Sequence, residues 1–211
     1  MLQRLKGGAV RRVIVYVDGF NLYYGMKRSY GSRYLWLDLK KLSLRLLKSD
    51  QGLIAVRYFT ARVRDDPGKV ARQDAYLGAL RSQPDIEIIF GRYQAKKVRC
   101  RGCGSDWTSY EEKKTDVSIA VALLEDGITN RFDTAILVSA DSDLCPAVQA
   151  LGRQRPEARV IAVFPPGRHS DELRRHCHGA FTLGDANLRQ SQFPEVVEGG
   201  TMIRRRPATW K

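Results

Sequence analysis

The stretch Thr134-Ala-Ile-Leu-Val-Ser-Ala-Asp-Ser-Asp143 constrains the fold more than any other part of the chain. Ala135 to Val138 are apolar without alternation, the pattern of a parallel strand covered on both faces. Ser139 to Asp143 break the run, and apolar residues resume at helical spacing from Leu144 to Leu151. A strand, an acidic turn and a helix in that order set Asp141 and Asp143 outside the carboxyl end of the strand, where open α/β sheets bind ligands. Val13-Ile-Val-Tyr-Val17 ends in the same way, in Asp18-Gly19-Phe20-Asn21. Two parallel strands that end in acids can direct them into one crevice.

The remaining pattern supplies the partners of these strands. Apolar runs predict further strands over Leu53–Thr60, Ile86–Phe90 and Arg159–Phe164, and a short edge strand over Gly179–Leu183. Helical spacing predicts helices over Phe20–Lys27, Asp38–Leu47, Val70–Leu80, Thr115–Asp126 and Ser170–His176. Strands alternating with helices give an α/β, three-layer domain with a mainly parallel central sheet. Within it, Gly19 is expected to permit a tight turn, and Asn21 to point back into the crevice. Thr115 is expected to cap its helix, with Val117, Val121 and Leu124 as the apolar face. Tyr93 to Lys113 interrupts the alternation and reads as an insertion loop, about 93–113. Past Asp185 the pattern is lost. The expected layout is therefore a basic lead over 1–12, a domain over 13–188 and a basic tail over 189–211 with no anchor.

Charge narrows the function. The chain holds 36 Lys and Arg against 23 Asp and Glu, a net charge of +13. Met1–Arg12, Arg92–Arg101 and Gly199–Lys211 together carry thirteen basic residues and no acid, so the excess can be assigned to these three stretches. Basic surface around an acidic pocket suits a polyanionic substrate held for metal-assisted chemistry. No apolar run approaches the roughly 20 residues that cross a bilayer, and the basic start lacks the apolar core of a signal peptide. These features and the sparse cysteines point to the cytoplasm and away from the membrane.

Asp18, Asp116, Asp141 and Asp143 are each expected at the start of a helix or in the turn before it. Singly, such an aspartate is most simply an N-cap. Four on neighbouring elements can instead hold Mg²⁺ or Mn²⁺, hard cations that take oxygen ligands and keep waters able to act as nucleophiles. Asn21 could hold a water or a phosphate oxygen, and helix N-termini add positive partial charge.

Val15-Tyr-Val-Asp-Gly-Phe-Asn-Leu22, Glu111-Glu-Lys-Lys-Thr-Asp-Val117 and Val138-Ser-Ala-Asp-Ser-Asp143 resemble the three signature blocks of NYN domains, relatives of PIN-domain ribonucleases, in the LabA-like bacterial branch. The resemblance spans roughly Arg12 to Leu183. It implies a PIN-like Rossmannoid fold and metal-dependent cleavage of RNA, with Asp18, Asn21, Asp116, Asp141 and Asp143 at the family's site positions. Glu112 lies near that site in sequence and equally suits a surface acid pairing with Lys113.

Rival chemistries lack their residues. Toprim domains place a glutamate after the first strand, where this chain has Asp18, and dehalogenase-type phosphatases place Asp-x-Asp there. No glycine-rich phosphate loop follows a strand, and His169, His176 and His178 cluster late without a nucleophile elbow. Arg92, Lys96, Lys97, Arg99 and Arg101 are expected to contact phosphates, with Trp107 stacking on unpaired bases. Cys100 and Cys103 are half of a zinc ribbon, read first as two free thiols. Alternatively they are ligands of a structural Zn²⁺, which a homodimer could share. The expected function is a Mg²⁺- or Mn²⁺-dependent ribonuclease acting on single-stranded or unpaired RNA. The alternative is a nucleic-acid-binding regulator that keeps the fold with little turnover.

Overall fold

A computed structural model describes residues 10–64, 66–99, 102–199 and 202–210, with the backbone alone at 92–98, 107–113 and 202. The first strand, β1 (Arg11–Asp18), is wholly buried from Val13 onward. It leads into α1 (Gly19–Tyr30), followed by α2 (Leu39–Leu46), β2 (Gln51–Thr60), α3 (Pro67–Arg81) and β3 (Ile86–Phe90). After β4 (Arg92–Arg99) and β5 (Asp106–Lys113) come α4 (Thr115–Ile128) and β6 (Thr134–Val138). A single 3-10 turn at Ser142–Leu144 opens α5 (Cys145–Gln154), followed by β7 (Arg159–Phe164), α6 (Asp171–His176) and β8 (Gly179–Thr182). The described chain closes with α7 (Asp185–Gln190), β9 (Val196–Gly199) and β10 (Met202–Arg205).

The central sheet has the order β3-β2-β1-β6-β7-β8, and every pairing in it is parallel. Side chains alternate across β1 as the strand period requires. Val13, Val15 and Val17 join the core beneath α1, α2 and α3, while Ile14 and Tyr16 join the core beneath α4 and α5. The result is the three-layer α/β, PIN-like architecture expected from the sequence. Strand order reverses between β1 and β6, so the ends of these two strands form the topological switch point, where doubly wound sheets open a crevice.

A buried charge network sets the angle at which α4 lies on this sheet. Asp126 of α4 is fully buried, accepts a 2.6 Å hydrogen bond from the Tyr16 hydroxyl and pairs with Arg57 and Arg131, both at 3.0 Å. A carboxylate so enclosed needs partners of this kind, and its partners tie α4 to β1 and β2 at once. The buried face of α4 is Ile119, Ala122, Leu123 and Asp126; of the expected Val117, Val121 and Leu124, only Leu124 packs against the core, and it is partly buried. Val117 is 64% exposed and Val121 56%. The helix carries two apolar stripes, and spacing alone could not choose between them.

The two ends of the chain differ from expectation. Arg11 and Arg12, assigned to the basic lead, are already in β1, where Arg11 pairs with Asp50 and Arg12 with Asp133. The segment over 189–211, expected to be an unanchored tail, contains an antiparallel β9–β10 hairpin. Phe193, Val197 and Trp210 join the core, with Trp210 against Trp36 and Tyr76. The Trp36 indole N–H donates to the Pro194 carbonyl at 2.7 Å. Single aromatic anchors between polar residues have no periodicity, which is why the sequence pattern did not show them.

The 93–113 stretch, expected to be a loop, is a two-stranded antiparallel ribbon, paired from Arg92↔Lys113 to Arg99↔Asp106. Its strands are mostly polar, so no apolar alternation announced them. It forms a sheet separate from the central one.

Because Trp210 is an aromatic core residue, Trp210→Ala should lower the unfolding free energy by about 3–5 kcal/mol. Urea denaturation measures this. A change within about 0.5 kcal/mol, the surface norm, would mean that the C-terminal segment is not docked.

Candidate metal centre

Asp18 ends β1 and caps α1. One of its carboxylate oxygens accepts the Asn21 backbone N–H at 2.9 Å, and the other accepts the Ser139 hydroxyl at 2.9 Å. Its side chain is thereby fixed on both sides at a buried position. The next residue must be glycine for a reason other than a tight turn. A Cβ at Gly19 would lie 2.5 Å from the Phe59 carbonyl oxygen and 2.8 Å from the Tyr58 ring.

Asp141 follows β6 and caps the 3-10 turn, accepting the Asp143 backbone N–H at 3.0 Å. The Asp141 N–H donates to the Ser139 hydroxyl at 3.1 Å, so Ser139 joins the backbone of one strand end to the carboxylate of the other. Asn21 reaches back from α1, as expected, and its side-chain oxygen accepts the Ala140 N–H at 3.2 Å. That bond holds the β6 turn in place.

Asp116 arrives from the third direction, in the first turn of α4. Its helix begins differently from expectation. Lys114 is the N-cap, in the left-handed region at φ 81°, and Thr115 is the first, buried helical residue. A non-glycine residue in this region costs on the order of 1–3 kcal/mol, which buried Thr115 and the α4 core must offset. The strained residue joins the β4–β5 ribbon to the helix that carries Asp116.

One carboxylate oxygen each from Asp18, Asp116 and Asp141 lie within 4.8 Å of one another. Asp143 is outside this group, exposed on the adjoining turn. The N-cap reading and the cluster reading both hold for Asp18 and Asp141, since each cap bond uses one oxygen and immobilises the carboxylate. Ionised carboxylates at such spacing repel by about 3–4 kcal/mol per pair at an effective dielectric near 20, before screening and proton uptake. A hard divalent cation relieves that repulsion, and an all-oxygen donor set fits Mg²⁺ or Mn²⁺.

A profile of the NYN domain matches residues 12–184. The chain belongs to the NYN domain family. NYN domains are typically divalent-metal-dependent nucleases acting on RNA. Among curated proteins, the chain is 29% identical to "6-hydroxy-3-succinoylpyridine 3-monooxygenase HspA" of Pseudomonas putida (strain DSM 28022 / S16), over 94% of this chain and 75% of that protein. Among solved structures it resembles VPA0982, a protein of unknown function from Vibrio parahaemolyticus RIMD 2210633. The TM-score is 0.58 at 18% identity, covering 90% of this chain and all of that one, a likeness of fold. No helix among the described residues is long and apolar enough to cross a membrane.

Of the other expected site residues, Arg92, Lys96, Lys97 and Trp107 are in the ribbon with backbone alone described, and Arg99 is exposed. Arg101 and Cys100 lie outside the described residues, and with Cys100 the zinc expectation. Cys103 is exposed, with its Sγ 3.0 Å from the Ser105 hydroxyl oxygen. Sequence reasoning missed Ser139 and Lys114. The first is legible as the polar residue ending the β6 run, whereas nothing in the sequence marks a lysine with positive φ.

Asp141→Asn keeps the capping oxygen and removes one charge, so without metal it should raise the melting temperature. With about 1–2 kcal/mol of relieved repulsion, the rise is roughly 2–8 °C for a chain of this size. Scanning fluorimetry in chelator and in Mn²⁺ reads this, and Mn²⁺ should stabilise the wild type more. A lower melting temperature for the variant, with equal responses to Mn²⁺, would reduce the aspartates to caps.

Proposed function

We propose that this chain is a Mg²⁺- or Mn²⁺-dependent ribonuclease that hydrolyses phosphodiester bonds in single-stranded or unpaired RNA. The observation carrying this reading is the meeting of Asp18, Asp116 and Asp141 at the switch point of a NYN domain. These three carboxylates would hold the cation. When bound, it supplies Lewis-acid activation of the phosphoryl group and lowers the pKa of water.

The residues around it do the positioning. Ser139 keeps Asp18 and the Asp141 backbone in fixed relation, and Asn21 holds the β6 turn against α1. Asp143 orients Asp141 through its N–H and adds a negative charge at the rim. The starts of α1 and α4 present positive backbone ends towards developing phosphate charge. In this reading Arg92, Lys96, Lys97 and Arg99 of the ribbon track phosphates, as does Arg101 outside the described residues, with Trp107 stacking on a base, and the ribbon leads straight into the helix of Asp116. The cytoplasm, where RNA is plentiful, is the proposed compartment.

The name of the Pseudomonas relative favours a second reading, oxygenation of a substituted pyridine, because the likeness covers 94% of this chain. Oxygen uptake on addition of 6-hydroxy-3-succinoylpyridine together with a two-electron reductant such as a reduced nicotinamide, which the second oxygen atom needs to leave as water, would support it.

Asp18→Asn and Asp141→Asn should each abolish cleavage of labelled RNA in Mn²⁺ and leave RNA affinity within a few-fold, since they remove metal ligands and not phosphate contacts. Gel-based cleavage and filter binding measure both quantities. Wild-type cleavage by both variants, in protein free of contaminating nuclease, would remove the site assignment.

A further inference from the structure

Beside the carboxylates, on the β2 side, lies a cavity of about 420 Å³ that the catalytic reading does not use. This falls within the range of about 300–1,000 Å³ typical of small-molecule pockets. It begins at the Asp18 turn itself, since Gly19 and Phe20 line it. Its interior is aromatic, with Tyr58, Tyr76 and Trp210 on the walls. Tyr58 packs against Gly19, and burial pushes its hydroxyl up to about 12, with the Asp18 charge adding to the effect.

The mouth has a different chemistry. Tyr23 and Tyr24 are exposed there at 36% and 53%, their rings edge to face at 5.2 Å on the same helix that Asp18 caps. Opposite them stand Arg64, Lys69 and Arg72. Lys69 pairs with Asp66, whereas Arg64 and Arg72 form no ion pair among the described residues. Burial and Tyr24 push the Tyr23 hydroxyl up while Arg72 and Lys69 pull it down, so the two cations stand beside that ring.

Aromatic walls select a planar ring, and guanidinium groups at the rim select an anion attached to it. Together they describe one nucleotide. We propose that this cavity is a nucleotide pocket, taking the base of an unpaired RNA residue next to the cleaved bond, with its phosphate at Arg64 and Arg72. The proposal rests on the ribonuclease reading and extends it. A base must leave its helix to enter, so the pocket itself selects single-stranded RNA over duplex.

Isothermal titration of the full chain with AMP, UMP, ribose 5-phosphate and benzoate tests this, with RNA cleavage measured on the same preparations. AMP and UMP should bind, and ribose 5-phosphate about ten-fold more weakly, as loss of base stacking implies. Tyr23→Ala and Arg72→Ala should each weaken nucleotide binding roughly five-fold or more. Tyr23 is exposed and Arg72 half-buried, and unchanged melting would show that the variants fold. Absence of saturable nucleotide binding, equal binding of ribose 5-phosphate or benzoate, or wild-type affinity in both variants would overturn the pocket. If these failures accompany RNA cleavage, the pocket falls and the ribonuclease reading stands. Nucleotide binding sensitive to Tyr23 and Arg72 in a protein that leaves RNA intact would support the pocket and contradict the ribonuclease reading.

Discussion

Like charges held within 4.8 Å of one another are the constraint on which the rest of this structure depends. Asp18 and Asp141 end two adjacent parallel strands, and Asp116 enters from a helix laid across the same sheet. Nothing in chain connectivity forces three carboxylates to within 4.8 Å of one another. The arrangement is held by hydrogen bonds that each oppose a single degree of freedom. Ser139 fixes Asp18 relative to the Asp141 backbone, Asn21 fixes the β6 turn, and the Asp143 N–H fixes the Asp141 side chain.

The position of Asp116 is held from further away. The buried Asp126 network clamps α4 to β1 and β2, so the rotation of the helix about its axis is set three turns from its N-terminus. Lys114 takes the backbone strain at the point where the ribbon turns into the helix. A strained junction between a basic ribbon and an acidic helix start is what a site needs if phosphate contacts and metal ligands are to stand at a defined spacing.

Much of this was legible in the sequence, and the remainder was hidden for identifiable reasons. The unalternating runs of β1 and β6 announced two-sided burial and hence a parallel sheet, and the aspartates at their ends announced the crevice. The Asp-Gly pair was legible too, but its purpose differed, because close packing against Phe59 and Tyr58 is a tertiary fact. The buried face of α4 was misassigned because two apolar stripes compete on one helix and only the sheet decides. The ribbon escaped because its strands are mostly polar in sequence, and the C-terminal hairpin because its anchors, Phe193 and Trp210, stand alone. Asp143 looked equivalent to Asp141 in sequence, yet one residue sits in the cluster and the other two positions on faces solvent.

The central claim is that these three carboxylates form one cation site. A crystal structure of the full chain soaked in Mn²⁺, with anomalous scattering recorded at the manganese edge, tests it most directly. The account predicts an anomalous peak with inner-sphere oxygens from Asp18, Asp116 and Asp141, absent from Asp141→Asn crystals treated alike. No peak at that position in saturating Mn²⁺, with the three carboxylates apart or bound only to protein donors, would contradict it.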